Sequence, residues 1–129
     1  MNVPWQVYFH PEFEPEFDAL EPAVQDELLA RANLLKEFGP QLKRPNADTL
    51  QGSKHDNMKE LRFKAADGVW RVAFAFDREQ KAILLVAGDK SGGSQQRFYR
   101  QLIKAADARF DRHLASTKEK SLRRGHRQQ

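Results

Sequence analysis

Between Met58 and Gly88 the chain carries three apolar-rich runs separated by turn chemistry, and this stretch constrains the fold more than any other. The runs are Met58 to Lys64, Val69 to Asp77 and Lys81 to Gly88; Asp67-Gly68 precedes the second and Asp77-Arg78-Glu79-Gln80 the third. Short β-rich runs joined by such turns predict an antiparallel meander. Alternation then sorts the side chains. Leu61 and Phe63 face one way and Glu60, Arg62 and Lys64 the other. On the second run Trp70, Val72, Phe74 and Phe76 form an apolar face, while Arg71 shares the opposite face with Val69, Ala73 and Ala75, read as open.

Both hairpin registers bring two cations together. A four-residue connection from Ala65 to Gly68 sets Arg62 opposite Arg71, and a two-residue Asp67-Gly68 turn sets Lys64 there instead. Like charges directly opposite on a sheet are destabilising, so something negative belongs on that face. It is either an internal carboxylate such as Glu60 or a phosphate-bearing ligand, for which the small Ala73 and Ala75 leave room and arginine offers a planar fork. Lys90, just after the third run, can join the same face, and Gly92-Gly93 beside it forms either an anion-binding nest or a plain turn.

The flanking segments are helical apart from an opening strand, Pro4 to His10. From Pro22 the apolar positions Val24, Leu28, Ala32 and Leu35 recur at helical spacing until Gly39-Pro40, with Leu29, Leu34 and Phe38 widening the stripe. Gly39 to Asn57 reads as a loop of nearly twenty residues. Ser94 can cap a last helix with Phe98, Leu102, Ala106, Phe110 and Leu114 on one face and Arg97, Arg100 and Lys104 on the other. The expected fold is α+β, with a small antiparallel sheet in the order β-α-α-β-β-β-α and helices packed on one face. Residues 1–115 form one domain, and 116–129 form a basic, disordered tail.

Composition narrows the function. A chain of 129 residues has room for one core. The absence of Cys excludes thiolate metal sites and a Cys nucleophile and suits a reducing compartment. No window approaches the run of about 18 apolar residues that spans a bilayer, and no secretory signal opens the chain, so a cytoplasmic address is expected. His10, His55, His113 and His126 lack metal-ligand spacing, so neither a metal nor any other cofactor is expected. Residues 1–40 hold eight acidic groups against two basic ones, whereas residues 41–115 hold fifteen basic against nine acidic and residues 116–129 five against one. That asymmetry is the footprint of later elements facing a polyanion.

The order of elements, with LQGS before the meander, ELRFK and DGVWRVAF within it and LLVAGDKSGGSQQRFYRQLIKAADARFDRHL after it, resembles the RelE/ParE superfamily of type II toxins, most closely its HigB-like branch. The resemblance covers about residues 5 to 115. It implies a metal-independent mRNA interferase: a ribosome-dependent endoribonuclease that attacks the scissile phosphate with the ribose 2′-hydroxyl, inhibits translation and is held inactive by a cognate antitoxin, a small helix-turn-helix protein. By the resemblance Arg71 and Arg62 match the paired arginines, Lys90 the basic position after the third strand, and Tyr99 the aromatic position that orients a base. Lys54, His55, Lys59, Lys64 and Arg97 are expected RNA contacts, and the first four are also candidates for proton transfer. Glu60 and Asp89 stand where ribonuclease members tend to be basic, leaving the general base and acid open. The alternatives are a ParE-like gyrase inhibitor that cleaves nothing and a degenerate relative that only binds an antitoxin.

Overall fold

The computed structural model describes the backbone of residues 4–127 and the side chains of residues 4–120. Five strands form one sheet: β1 (Gln6–Phe9), β2 (Ala47–Thr49), β3 (Met58–Ala65), β4 (Gly68–Phe76) and β5 (Lys81–Asp89). Three helices accompany them: α1 (Glu14–Asp18), α2 (Pro22–Phe38) and α3 (Gln95–Arg127). The order across the sheet is β1-β5-β4-β3-β2. Strands β3 to β5 are the antiparallel meander that the turn residues specify. The α+β class therefore holds, and the expected elements appear in the expected order with one further short strand, β2, ahead of the meander.

Three details depart from expectation. The sheet is mixed, because β1 pairs in parallel with β5; the two strands are joined through helices and other strands, and no local turn dictates an antiparallel partner. The helices lie on both faces. Val24, Leu28, Ala32 and Leu35 of α2 pack with Leu61, Phe63, Val72 and Phe74, whereas Leu102, Ala106 and Phe110 of α3 pack with Met58, Ala73, Ala75 and Leu85 on the other side. Ala73 and Ala75 are fully buried: their small size makes room for α3 rather than for a ligand. Within the expected loop, β2 pairs antiparallel with β3, and Leu42 and Leu50 sink into the two cores.

The ends of the helices follow from local chemistry. Gly39 closes α2 at a φ of 55°, and a side chain there would run into the Trp5 indole. Leu29 and Phe38, read as part of the buried stripe, are 42% and 45% exposed, so α2 seats a narrower face than its sequence offers. Ser94 Oγ accepts the Arg97 N–H at 3.2 Å and caps α3. This helix continues to Arg127, across the boundary expected at 115, because Lys, Glu, Leu and Arg there are good helix formers. Residues 128–129 of the expected tail, and the basic side chains beyond Lys120, lie outside the described residues. No helix among the described residues is long and apolar enough to cross a membrane.

The β4–β5 turn is fastened to α3 by a buried carboxylate. Asp77 Oδ1 accepts the N–H groups of Glu79 and Lys81 at 2.9 and 3.0 Å, and its Oδ2 lies 2.8 Å from His113 Nε2. Burial alone would raise the Asp77 pKa, but the His113 hydrogen bond and the two backbone donors outweigh it and hold the group below its ordinary 3.8. A carboxylate whose pKa is depressed by folding stabilises the fold above its ordinary value and ceases to do so as pH falls through the depressed one. Unfolding midpoints measured against pH should therefore fall below about pH 4, and Asp77→Asn should flatten that dependence.

Candidate active site

The β3–β4 turn decides which cations meet. Ala66 and Asp67 occupy its two central positions at φ of 50° and 62°, the double left-handed conformation of a tight hairpin. Ala65 consequently pairs with Gly68, and Arg62 stands directly opposite Arg71, while Lys64 faces Val69. Since α3 covers Ala73 and Ala75, the face read as open is uncovered only toward this end of the hairpin.

Arg71 is 5% exposed and lines one of the two clefts found here. Its Nη1 donates to the Trp70 carbonyl at 2.9 Å and its Nε to Tyr99 Oη at 3.2 Å. Glu60, 3% exposed, supplies the internal negative charge: Arg62 Nη1 donates to its Oε2 at 2.8 Å, and Arg71 Nε is 3.8 Å from its Oε1. Glu60 Oε1 is buried without a hydrogen-bond partner. The pair of arginines is thus partly neutralised, but with Lys90 the cluster still counts three cations against one carboxylate and remains electropositive. A cleft of about 360 Å³ opens above it, lined by Arg44, Asp48, Glu60, Arg62, Lys90 and Tyr99 among others. A second cleft of about 460 Å³ adjoins it, with Arg31, Arg44, Arg62, Lys64 and Arg71 on its walls.

The site shifts its own proton affinities. Partial burial, then the guanidinium groups of Arg71 and Arg62, hold the Lys90 ammonium below lysine's usual range, with Glu60 opposing them. Burial pushes the Tyr99 phenol up; its hydrogen bond from Arg71 works against this and the neighbouring Glu60 charge adds to it. Lys90 therefore releases a proton more readily than an ordinary lysine, and Tyr99 stays protonated as a donor.

The fold brings Arg62, Arg71, Lys90 and Tyr99 together and sets most of the other named residues apart. Lys54 and His55 both grip Asp111 on α3, with His55 Nε2 at 2.8 Å from Oδ1; Asp111 is twelve residues beyond Tyr99, about 18 Å along the helix. Lys59 lies on the α2 side of β3, opposite Phe74, with its Nζ 3.3 Å from the Pro40 carbonyl. Lys64 edges the second cleft. Arg97 is exposed on the first turn of α3, outside both clefts. Sequence reasoning missed Arg44, whose Nε donates to Asp48 Oδ2 at 2.8 Å on the rim of both clefts. Its only signal was a basic residue beside the short β2, whose three residues are too few to show alternation.

Comparison with known proteins agrees with this architecture. Residues 15–111 match the family described as "Phage derived protein Gp49-like (DUF891)". Two Mycobacterium tuberculosis proteins carry the toxin names HigB2 and HigB3. The first is 40% identical over 108 residues, which cover 83% of this chain and 53% of that protein, so this chain spans about half its length. The second is 41% identical over 106 residues, covering 82% of this chain and 90% of that protein. An arginine-substituted variant of the Escherichia coli toxin RelE in the free state superposes with a TM-score of 0.53 at 14% identity, covering 78% of this chain and 94% of RelE, a likeness of fold alone. The chain belongs to the Gp49-like family, is a HigB-like relative of HigB2 and HigB3, and shares its fold with RelE.

Proposed function

We propose that the protein is the toxin of a type II toxin–antitoxin pair and acts as a metal-independent endoribonuclease on mRNA held in the ribosome. The observation that carries the proposal is the Arg62–Arg71 juxtaposition where two adjoining clefts meet: Arg62 lines both, Lys90 one and Arg71 the other. Such a cradle fits a phosphodiester: guanidinium groups offer paired donors to the equatorial oxygens, where charge accumulates in the transition state. The ribose 2′-oxygen gives its proton to solvent water and attacks the adjacent phosphorus. The P–O5′ bond breaks, leaving a 2′,3′-cyclic phosphate upstream and a 5′-hydroxyl downstream.

Each side chain has a part. Arg71 and Arg62 stabilise the phosphoryl charge. Lys90, with its weakened hold on its proton, is the donor to the departing 5′-oxygen. Tyr99 orients the nucleotide through its ring edge and hydroxyl. Lys64 and Arg44, on the walls of the adjoining cleft, extend contact along the RNA backbone. The ribosome, mRNA and a small helix-turn-helix antitoxin are the partners of this activity, which is exercised in the cytoplasm.

The test is induction of the protein without an antitoxin, followed by mapping of mRNA 5′ ends. New ends inside translated codons support the ribonuclease. Growth arrest with intact messages and DNA damage would instead favour a gyrase inhibitor, and unimpaired growth would leave an antitoxin-binding relative whose cradle Glu60 has silenced.

A further inference from the structure

Asp89 ends β5 beside a group of cations that should take an anion, and at that address a carboxylate looks counterproductive. Its surroundings say otherwise. Asp89 pairs across the ladder with Trp70 and Gly88 with Arg71, so Asp89 projects from the face opposite Arg71. It lines neither cleft. Its Oδ1 accepts the Val69 N–H at 2.9 Å, the Ser91 N–H at 2.9 Å and the Ser91 hydroxyl at 2.6 Å. Burial would raise its pKa, but the Ser91 and Val69 donors outweigh this and keep the group ionised at neutral pH.

The residue between these anchors is Lys90. Its own N–H donates to the Val69 carbonyl at 2.7 Å. The chain leaving β5 is therefore tied to Val69 through the Asp89 carboxylate and the Lys90 amide, with the next residue, Ser91, folded back onto the same carboxylate. Gly68 allows the approach: a Cβ there would meet Asp89 Oδ2 at 2.8 Å and Trp70 Nε1 at 2.7 Å. Beyond this point Gly92 and Gly93, both at positive φ, leave the loop free of packing.

We infer that Asp89 is a positioning residue: by clamping the backbone on both sides of Lys90 it aims that ammonium into the Arg62–Arg71 cradle, so that a negative charge serves an anion site. The inference rests on the proposed ribonuclease for its catalytic consequence only, since the clamp itself belongs to the free protein.

Two measurements on the full chain test it separately. In the free protein, the Lys90 side chain followed by NMR should titrate below lysine's ordinary 10.5 in the natural sequence and in Asp89→Asn, whose amide oxygen keeps the acceptor. In Asp89→Ala it should move back toward that value. On ribosome-bound message, Asp89→Ala should lower kcat by about 100-fold with KM little changed, the cost of a misplaced group; Asp89→Asn should keep most of the rate. Asp89→Lys adds positive charge and should be as slow as Asp89→Ala. Ser91→Ala, which removes only the hydroxyl donor, should act in the same direction with smaller size and decides the matter should Asp89→Ala not fold. Unchanged Lys90 titration in Asp89→Ala and Ser91→Ala, or an Asp89→Lys that cleaves as fast as the natural chain, would overturn the inference. A natural chain that cleaves nothing would refute the ribonuclease and leave the clamp to be judged by the titration alone.

Discussion

Arg71→Ala should reduce cleavage of ribosome-bound mRNA by about 100- to 1000-fold, the usual consequence of removing a preorganised donor to a developing oxyanion. The expectation follows from where Arg71 sits. It is almost wholly buried, opposite Arg62, and its guanidinium is fixed by Trp70 and Tyr99 before any substrate arrives. Arg71→Lys keeps the charge but not the planar fork, and should recover only a small part of the rate. Removing Arg71 also leaves the Glu60 carboxylate with one cation fewer, so stability should be recorded beside activity: a loss of about 1–3 kcal/mol is expected. The cleavage defect must persist where the variant is fully folded. Single-turnover cleavage of a defined message, compared with a thermal melt of the same sample, separates the two effects.

The largest effect on stability is expected at Phe110. Its ring is 2% exposed, sits edge-on to His55 with centroids 4.9 Å apart and is stacked on His113 at 6.1 Å. It is the largest side chain that α3 buries against the sheet, beside the fully buried Ala75 and Leu85. Phe110→Ala should cost about 3–5 kcal/mol, through lost transfer energy and the cavity left behind. Against a total of about 5–15 kcal/mol for a domain, that approaches unfolding at physiological temperature. Urea denaturation should show a much lower midpoint with little change in slope. Because α3 also carries Tyr99, weaker docking should loosen the Arg71–Tyr99 hydrogen bond and lower activity in the protein that remains folded.

How much of this was legible in the sequence depended on whether local chemistry or distant packing decided each feature. Strands β3 to β5 could be bounded to within a residue or two because alternation and turn residues are local signals. The Arg62–Arg71 register could be narrowed to two choices. What selected one was the positive φ of Ala66, an alanine that sequence gives no reason to expect in that conformation. The neutralising carboxylate was also visible in the pattern, since Glu60 shares a strand face with Arg62 and makes the ion pair.

Other features depended on partners far along the chain. Ala73 and Ala75 looked like the floor of a ligand site, but their smallness answers to α3, which lies beyond the meander in the chain. The parallel pairing of β1 with β5 joins segments more than seventy residues apart and carries no motif. Lys54 and His55 looked available in a long loop until Asp111, more than fifty residues later, engaged both. Asp89 counted as an unfavourable charge because composition registers sign but not direction, and its direction follows from pairing with Trp70.

The most direct test of the central claim is the chemistry of the cut. Purified protein, programmed ribosomes and a defined message are combined with a chelator that removes free transition metals while the magnesium needed by the ribosome is retained, and the new RNA ends are analysed. A nuclease working through Arg62, Arg71 and Lys90 should cleave undiminished and leave a 2′,3′-cyclic phosphate and a 5′-hydroxyl, and a 2′-deoxy substitution at the scissile nucleotide should abolish the cut. Products bearing a 5′-phosphate, or cleavage that survives the loss of the 2′-hydroxyl, would contradict the account.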